Sequence, residues 1–375
     1  MTKSRAIVLE EFGVPPVVRE FALTEVEGAD IVVACEYGGV CGTDLHLQQG
    51  HLPIPTPLVL GHEGFGRIQE LGPDAVADSN GLPLAAGDLV MWASSVSCGS
   101  CTACRDLREP TLCPARQTCG VNRPATVAPG LFGSWADHIL LRAGTTIVKV
   151  PDDIDPIAAM AFACAGPTMV HALFDRRPVR VGETVVVQGS GPVGLAAAAI
   201  AQCSGAAEVV LIGGPAARLE LAARAGIGDH HVNVIDAADR NAALGLVNEL
   251  CRGGADLVIE CTGVPAAVQE GFSFARRGGS MVIVGQYTDA GDTAFNPHQI
   301  VYRQLDIYGS WAFSGAHLVR YLQLLPMLAG RFDLASLVTL FPLDRVENAL
   351  AAVADGSVMK AVLACGSADS NRERR

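Results

Sequence analysis

Residues 181–194 read V-G-E-T-V-V-V-Q-G-S-G-P-V-G, and an alanine-rich stretch follows at 195–203. The continuous apolar run is typical of a strand that is buried on both faces of a parallel sheet. Strand, G-x-G-x-x-G and helix in this order predict a dinucleotide site, because the glycines allow a tight turn and let the backbone approach a pyrophosphate. The helix N-terminus adds partial positive charge. The candidate coenzyme-binding residues of this turn are Gly189, Gly191, Pro192, Val193 and Gly194.

Apolar runs continue to alternate with helical stretches downstream of this turn. The runs are E-V-V-L-I (208–212), D-L-V-I-E (256–260) and G-S-M-V-I-V-G (279–285), and R-L-E-L-A-A-R-A-G (218–226) is typical of a helix. Alternation of this kind predicts an α/β fold with a doubly wound parallel sheet.

The end of the second strand lacks an expected residue. An Asp or Glu about 20 residues after the glycine-rich turn usually binds the ribose 2′-hydroxyl of NAD. This strand ends instead in Ile212-Gly213-Gly214-Pro215, with Arg218 a little further on. The absence of a carboxylate at Gly213 allows NADP, yet an arginine at the start of a helix is also consistent with simple solvation. NAD is slightly favoured, and NADP stays open.

Length and charge set limits on the whole chain. The 375 residues suggest two domains at roughly 100 to 200 residues each. The formal net charge is −12, which disfavours nucleic acid and anionic membranes as partners. The N-terminus lacks the apolar core of a signal peptide, and no apolar segment reaches the length of about 18 residues that a membrane helix needs. A cytoplasmic location is expected because four of the twelve cysteines are clustered at metal-ligand spacing, which favours a reducing compartment.

Four cysteines form one closely spaced set. Thiolates at this spacing can close a tetrahedral zinc site with no open position, which fixes a small lobe, here about residues 95–115. Disulfides or free thiols are the alternative, but a reducing compartment fits better for a chain of this size. The predicted structural-zinc ligands are Cys98, Cys101, Cys104 and Cys113.

A second set lies in C-G-T-D-L-H (41–46) and G-H-E-G-F-G (61–66), after a β-rich opening. A catalytic zinc has three protein ligands and keeps its fourth position for water or substrate. Cys41 and His62 are candidate ligands, and Asp44, His46 and Glu63 are within reach of them. Taken singly, a buried cysteine, histidine or aspartate more often packs or caps.

The segment I-A-A-M-A-F-A-C-A-G-P-T (157–168) reads as a helix that is interrupted near A-G-P. Cys164 at that break is the third candidate ligand, and a small buried cysteine is the alternative. An amphipathic helix around 317–328, a helix at 346–354 and a final strand are predicted further on. The polar tail, residues 366–375, is expected to be disordered.

Taken together, these motifs resemble the zinc-dependent medium-chain alcohol dehydrogenases over nearly the whole chain. The matching motifs are C-G-T-D-L-H, G-H-E-G-F-G, C-x-x-C-x-x-C…C, C-A-G-P-T and G-S-G-P-V-G. The resemblance implies a GroES-like β-rich catalytic domain from residues 1–165 and 311–375, and a Rossmann coenzyme domain from residues 166–310. It also implies a homodimer or homotetramer joined through the coenzyme domains.

The resemblance assigns roles to individual residues. Cys41, His62 and Cys164 would hold the catalytic zinc, and Glu63 would be a possible exchange ligand. Thr43 and His46 would relay the proton of an alkoxide formed on the zinc, with Asp44 holding His62. The implied coenzyme contacts are Thr168 and Val193 at the nicotinamide and Lys360 at the pyrophosphate.

The predicted activity is reversible oxidation of an alcohol to an aldehyde or ketone by hydride transfer to NAD(P)⁺, with two Zn²⁺ per chain. A noncatalytic nucleotide-binding protein and a zinc-independent reductase are the competing classes. Neither class would need the complete set of predicted catalytic-zinc ligands. A weaker similarity to dehydrogenases of phosphonate metabolism makes a phosphonate-type alcohol a further alternative. The sequence identifies neither the alcohol, nor dimer versus tetramer, nor the physiological direction.

Overall fold

The computed structural model describes residues 3–366, in an α/β architecture. Of the polar tail, only Gly366 falls within these residues, so the predicted disorder of 367–375 lies outside the part described. The strands are β1 (Lys3–Leu9), β2 (Val17–Ala22), β3 (Ile31–Val40), β4 (Leu58–Val59), β5 (Gly64–Leu71), β6 (Leu89–Trp92), β7 (Ser95–Val96), β8 (Gln117–Thr118), β9 (His138–Leu141), β10 (Ile147–Lys149), β11 (Thr184–Gln188), β12 (Glu208–Gly213), β13 (His230–Asn233), β14 (Ala255–Glu260), β15 (Ala275–Ile283), β16 (Asp306–Gly309), β17 (Val338–Pro342) and β18 (Lys360–Ala364). The helices are α1 (Gly42–Gln48), α2 (Thr102–Arg105), α3 (Pro156–Ala161), α4 (Ala165–Val170), α5 (Pro192–Cys203), α6 (Ala216–Arg224), α7 (Arg240–Leu250), α8 (Pro265–Phe274), α9 (Pro297–Arg303), α10 (Gly315–Arg331) and α11 (Val346–Ala354).

The chain forms two compact units. Of the described residues, the first unit contains 3–164, 314–323 and 338–366, and the second contains 165–313 and 324–337. The domain limits given by the family resemblance stay a prediction. The observed units differ from them in grouping residue 165, residues 311–313 and residues 324–337 with the second unit.

The first unit is built from mostly antiparallel sheets. Its largest sheet has the order β10-β6-β5-β3-β18-β17, with β9 also paired to β3, and a smaller sheet has the order β2-β1-β4. Apolar residues of these strands share one core with Trp135, which is fully buried and donates from Nε1 to the Gly39 carbonyl at 2.9 Å. The core therefore holds β3 and the start of β5, the two segments that flank Cys41 and His62.

The second unit contains a six-stranded sheet in the order β13-β12-β11-β14-β15-β16, and each neighbouring pair is parallel. The apolar residues Val185–Val187 of the central strand β11 are completely buried, as expected for a strand that is covered on both faces. The predicted doubly wound sheet is confirmed, and β11 leads directly into the glycine-rich turn.

No helix within residues 3–366 combines the length and apolar character that a bilayer-spanning segment requires.

Candidate active site and metal centres

Cys41 lies between the end of β3 and the first turn of α1. It is the N-cap residue, and its backbone N–H donates to Asp44 Oδ2 at 2.8 Å. The carboxylate thus satisfies a donor that the helix itself leaves unpaired. Strand and cap together fix the position of the Cys41 thiol.

Asp44 also orients His62. Its Oδ1 atom lies 3.2 Å from His62 Nδ1, and Asp44 is fully buried. Burial alone would lower the pKa of His62, but the Asp44 carboxylate and the neighbouring cysteines raise it well above its usual value. Because Nδ1 faces Asp44, Nε2 is the nitrogen left for a ligand.

His62, Glu63, Cys41 and Cys164 converge on one point. One ligand atom from each lies within 4.8 Å of the others. Cys164 occupies the break between α3 and α4, whereas Pro167 lies inside α4, so the interruption precedes the A-G-P triplet. Among the described residues, the buried atoms His62 Nε2 and Glu63 Oε1 have no hydrogen-bond partner. Two thiols, an imidazole nitrogen and a carboxylate oxygen are donors that Zn²⁺ accepts, so the site fits a zinc ion.

The two thiols of this cluster have opposite pKa shifts. The Cys164 thiol donates to the Cys41 sulfur, which holds the pKa of Cys41 well below its usual value and raises the pKa of Cys164 well above it. One thiolate is thereby favoured in this cluster. A thiolate is the form that binds metal.

Sequence reasoning missed the partner of Glu63. Its Oε2 atom accepts from Lys360 Nζ at 2.5 Å, and Lys360 also donates to the Val40 carbonyl at 3.2 Å. Burial raises the pKa of Glu63, while the Lys360 ammonium opposes that rise. Through these two bonds, β18 is joined to the segment just before β5 and to the end of β3, the strand that leads into Cys41. A charged pair between residues 63 and 360 leaves no local pattern in a sequence, and the pyrophosphate role of Lys360 stays a prediction.

Thr43 and His46 lie on α1 beside the cluster. The Thr43 hydroxyl is 3.9 Å from Cys41 Sγ. His46 Nδ1 lies 3.1 Å from Nδ1 of His51, an exposed residue that sequence reasoning did not single out. Partial burial and the neighbouring His51 ring both lower the pKa of His46.

The four remaining predicted ligands form a second cluster in the loop around α2. Ligand atoms of Cys98, Cys101, Cys104 and Cys113 all lie within 4.8 Å of one another. Cys101 and Cys104 have their sulfurs 3.5 Å apart, and the Cys98 amide donates to Cys113 Sγ at 3.4 Å. Four sulfurs at such distances match a closed tetrahedral zinc site.

The glycine-rich turn has the shape of a phosphate cradle. A Cβ on Gly194 would lie 1.7 Å from the Gly189 carbonyl oxygen, so only glycine allows this packing of α5 on β11. A Cβ on Gly191 would meet nothing within 4 Å. Open space above Gly191, at the N-terminus of α5, fits a bound pyrophosphate.

The packing at the end of β12 explains why position 213 is a glycine and not an acidic residue. A Cβ on Gly213 would lie 2.4 Å from Ser190 Oγ and 2.8 Å from the Ser190 backbone nitrogen. Ser190 Oγ donates to the Gly214 carbonyl and accepts from the Gly214 amide. Ser190 thus occupies the space that a longer side chain at position 213 would need.

The comparison with known proteins identifies the family of the chain. A family profile for the alcohol dehydrogenase GroES-like domain matches residues 27–152, and one for zinc-binding dehydrogenases matches residues 192–329. The 5-exo-hydroxycamphor dehydrogenase of Pseudomonas putida is 33% identical over 87% of this chain and 89% of its own length. The chain belongs to the zinc-dependent medium-chain dehydrogenases. An L-threonine 3-dehydrogenase of Anaeromyxobacter sp. (strain K) is 31% identical over 92% of this chain and 93% of its own length.

Solved structures of medium-chain dehydrogenases share the fold. An alcohol dehydrogenase of Thermotoga maritima gives a TM-score of 0.91 at 32% identity, over 98% of this chain and 100% of its own. A structure from Sinorhizobium meliloti, described as a zinc-binding dehydrogenase bound to NADP, gives 0.83 at 27% identity, over 97% and 100% of the two chains. The GroES-like and Rossmann assignment is thereby confirmed.

In this medium-chain dehydrogenase the predicted nicotinamide contacts lie on neighbouring helices. Thr168 is on α4 and Val193 is at the second position of α5, and these two helices pack together. Arg218 is half-buried in the first turn of α6. Contacts of all three residues with a coenzyme stay predictions.

Proposed function

We propose that the chain is an NAD(P)-dependent alcohol dehydrogenase that reversibly oxidises an alcohol to a ketone or aldehyde by hydride transfer to the nicotinamide. The observation that carries this proposal is the Cys41–His62–Cys164 cluster with a buried, unpartnered His62 Nε2. A noncatalytic nucleotide-binding protein would have no reason to keep such donors at that cost in burial.

Cys41, His62 and Cys164 would hold the catalytic zinc, which supplies a Lewis acid that lowers the pKa of an alcohol hydroxyl. Asp44 keeps the His62 ring in the tautomer that presents Nε2. Thr43 would take up the hydroxyl proton and His46 would pass it on. The lowered pKa of His46 suits that task, because the ring stays neutral and able to accept a proton to a lower pH.

Glu63 has two oxygens in different situations. Oε2 is held by Lys360, whereas Oε1 lies 3.9 Å from His62 Nε2 and has no hydrogen-bond partner among the described residues. We infer that Oε1 would be available to the zinc as an exchange ligand. Cys98, Cys101, Cys104 and Cys113 would hold a second zinc that maintains the fold of their loop.

Secondary alcohols are the proposed substrate class. In two relatives, the names specify 5-exo-hydroxycamphor and the 3-position of L-threonine, and both of those hydroxyls are on secondary carbons. A phosphonate-type alcohol stays an alternative to be tested alongside them.

The proposed assembly is a homodimer or homotetramer. Strand β16 is the last strand of the coenzyme-unit sheet, and Ile307 in it is 38% exposed. Val301 and Tyr302, just before that strand, are 77% and 55% exposed. An open edge with exposed apolar residues favours pairing with a second copy. A reducing location such as the cytoplasm completes the proposal, since both metal sets need free cysteines.

The deciding experiment follows the absorbance of reduced nicotinamide with zinc-loaded protein, NAD⁺ or NADP⁺, and a panel of secondary, primary, polyol and phosphonate alcohols. Turnover with a secondary alcohol should disappear in Cys41→Ser and His62→Ala. Cys203→Ser is the matched control, because Cys203 is half-buried and belongs to neither metal cluster.

Zinc content separates the possible failures. Wild-type protein should hold two zinc ions per chain, Cys41→Ser one, and Cys203→Ser two. Turnover that persists in Cys41→Ser at one zinc per chain would contradict the catalytic role of this cluster. Coenzyme binding without turnover of any alcohol would favour the noncatalytic alternative.

A further inference from the structure

An acidic residue lies at the end of β12 even though Gly213 carries none. The loop after β13 places Asp236 next to the first residue of α6, where Asp236 Oδ2 accepts from the Ala216 amide at 2.8 Å. The same oxygen accepts from Asn233 Nδ2 at 3.0 Å. The loop is itself fixed, because Asn233 Oδ1 accepts from the amides of Ile235 and Asp236.

This corner is where discrimination between the two coenzymes takes place in a dinucleotide-binding sheet. The adenosine ribose lies beyond the carboxyl end of the second strand, which here is β12. Ser190 blocks a side chain at Gly213, so an acid cannot come from the strand itself. Asp236, in the loop after the neighbouring strand β13, places a carboxylate at the turn that follows β12.

We propose that the Asp236 carboxylate makes this unit select against a ribose 2′-phosphate, so that the chain prefers NAD to NADP. The inference rests on the proposed function and specifies its coenzyme. A 2′-phosphate at the start of α6 would compete with Asp236 for the Ala216 amide, and it would bring a second negative charge to the same place. NAD carries only a hydroxyl there and meets neither obstacle.

Two further observations bear on the charge at this corner. Hydrogen bonds from Asn233 and from the Ala216 amide lower the pKa of Asp236, so the carboxylate is ionised at neutral pH. Arg218, in the same first turn of α6, has the opposite charge and would favour a phosphate. The proposal is that Asp236 outweighs Arg218, because its oxygen occupies the amide that the phosphate needs.

The test measures coenzyme binding rather than turnover. Dissociation constants of NADH and NADPH are obtained from nicotinamide fluorescence for wild type, Asp236→Asn and Asp239→Asn. Asn at 236 can still accept from the Ala216 amide, so this change removes the charge and keeps the cap. Asp239 is the matched control, since it is also exposed and accepts from a helix-start amide, that of Ala242 at 3.0 Å, on α7.

Wild type should bind NADH more tightly than NADPH, and Asp236→Asn should reduce that preference by roughly five- to tenfold, as expected for one exposed charge near a phosphate. The Asp239→Asn preference should equal that of wild type. An unchanged preference in Asp236→Asn, an equal loss of both coenzymes, or a wild type that prefers NADPH would each overturn the inference. If NADH still binds and an alcohol is still oxidised, only the inference fails; if neither coenzyme binds, the proposed function fails with it.

Discussion

At the scale of single residues, Asp44 accepts from the Cys41 amide and contacts the His62 ring. One substitution tests what its charge contributes to zinc binding. Asp44→Asn should weaken zinc binding at the Cys41 cluster by about 10- to 100-fold, because a neutral amide supports the His62 ring less well than a carboxylate. Competition with a chelating dye measures that affinity.

Asp78→Asn is the control for Asp44→Asn. Asp78 is also buried and accepts from the backbone amides of Asn80 and Leu82, and it belongs to neither metal cluster. Equal zinc affinity in Asp44→Asn and wild type would contradict the orienting role.

His51 gives a second prediction, through its contact with His46. Removing the His51 ring in His51→Gln takes away one of the two causes that lower the pKa of His46, so that pKa should rise. A neutral His46 is the proton acceptor during alcohol oxidation. The acid limb of kcat/KM should therefore move to higher pH in the variant.

The pH profile of His138→Gln provides the comparison for His51→Gln. His138 is half-buried in the same unit and contacts Ser4, so losing it should leave the acid limb in place. A profile in His51→Gln that coincides with wild type would show that His51 does not influence the group that titrates.

Sequence reasoning placed the candidate ligands better than their surroundings. Cys41 and His62 were identifiable because both lie in recognisable motifs of the short segment between β3 and β5. The pairing of Lys360 with Glu63 and the contact of His51 with His46 were missed for different reasons. Lys360 meets Glu63 through pairing of β18 with β3, a contact between distant parts of the chain, and His51 approaches His46 through the side-chain conformations of a short loop.

At the scale of the strand–turn–helix element, two glycines of one motif should respond differently to the same change. Gly194→Ala should destabilise the protein by on the order of 2–3 kcal/mol, because its Cβ would collide with a backbone carbonyl that cannot move aside. Gly191→Ala should leave unfolding nearly unchanged, since its Cβ enters open space and its φ of −85° suits alanine.

Coenzyme binding should show a distinct pattern in the same pair. Gly191→Ala should weaken NADH binding by about tenfold or more, equivalent to about 1.4 kcal/mol, because the methyl group enters the space assigned to the pyrophosphate. Denaturant unfolding and NADH titration measure the two properties separately. Tight NADH binding by a stable Gly191→Ala protein would exclude that location for the pyrophosphate.

The periodicity of the chain was sufficient to predict this element and the sheet around it. Continuous apolar runs such as Val185–Val187 are typical of strands buried on both faces, and this run is fully buried. It was not sufficient to explain Gly213. Absence of an acid there suggested open coenzyme choice, whereas the structure shows that Ser190 fills the space. This steric exclusion depends on how the glycine-rich turn packs against the turn after β12, so the sequence of either turn alone does not predict it.

At the scale of the whole molecule, the open edge of β16 predicts the state of assembly. Ile307→Lys should convert the proposed dimer or tetramer to smaller species, down to a 39.0 kDa monomer, because a lysine on an edge strand opposes pairing with a second copy. Light scattering coupled to size exclusion gives the mass. Leu340→Lys is the control, since Leu340 is 47% exposed on β17, an edge strand of the other unit's sheet. An unchanged mass in Ile307→Lys would place the interface elsewhere.

The interleaved course of the chain has a consequence for synthesis on the ribosome. The six strands of the coenzyme-unit sheet are contiguous in sequence, whereas β18, which pairs with β3 and carries Lys360, comes about 200 residues after Cys164. At about 5–20 residues per second, that delay amounts to roughly 10–40 s. During this interval the later-starting Rossmann sheet can already fold, while the nascent catalytic unit lacks the strand that gives Glu63 its counter-ion. The unit that begins first is thus completed last, and zinc delivery during translation meets an unfinished catalytic cluster.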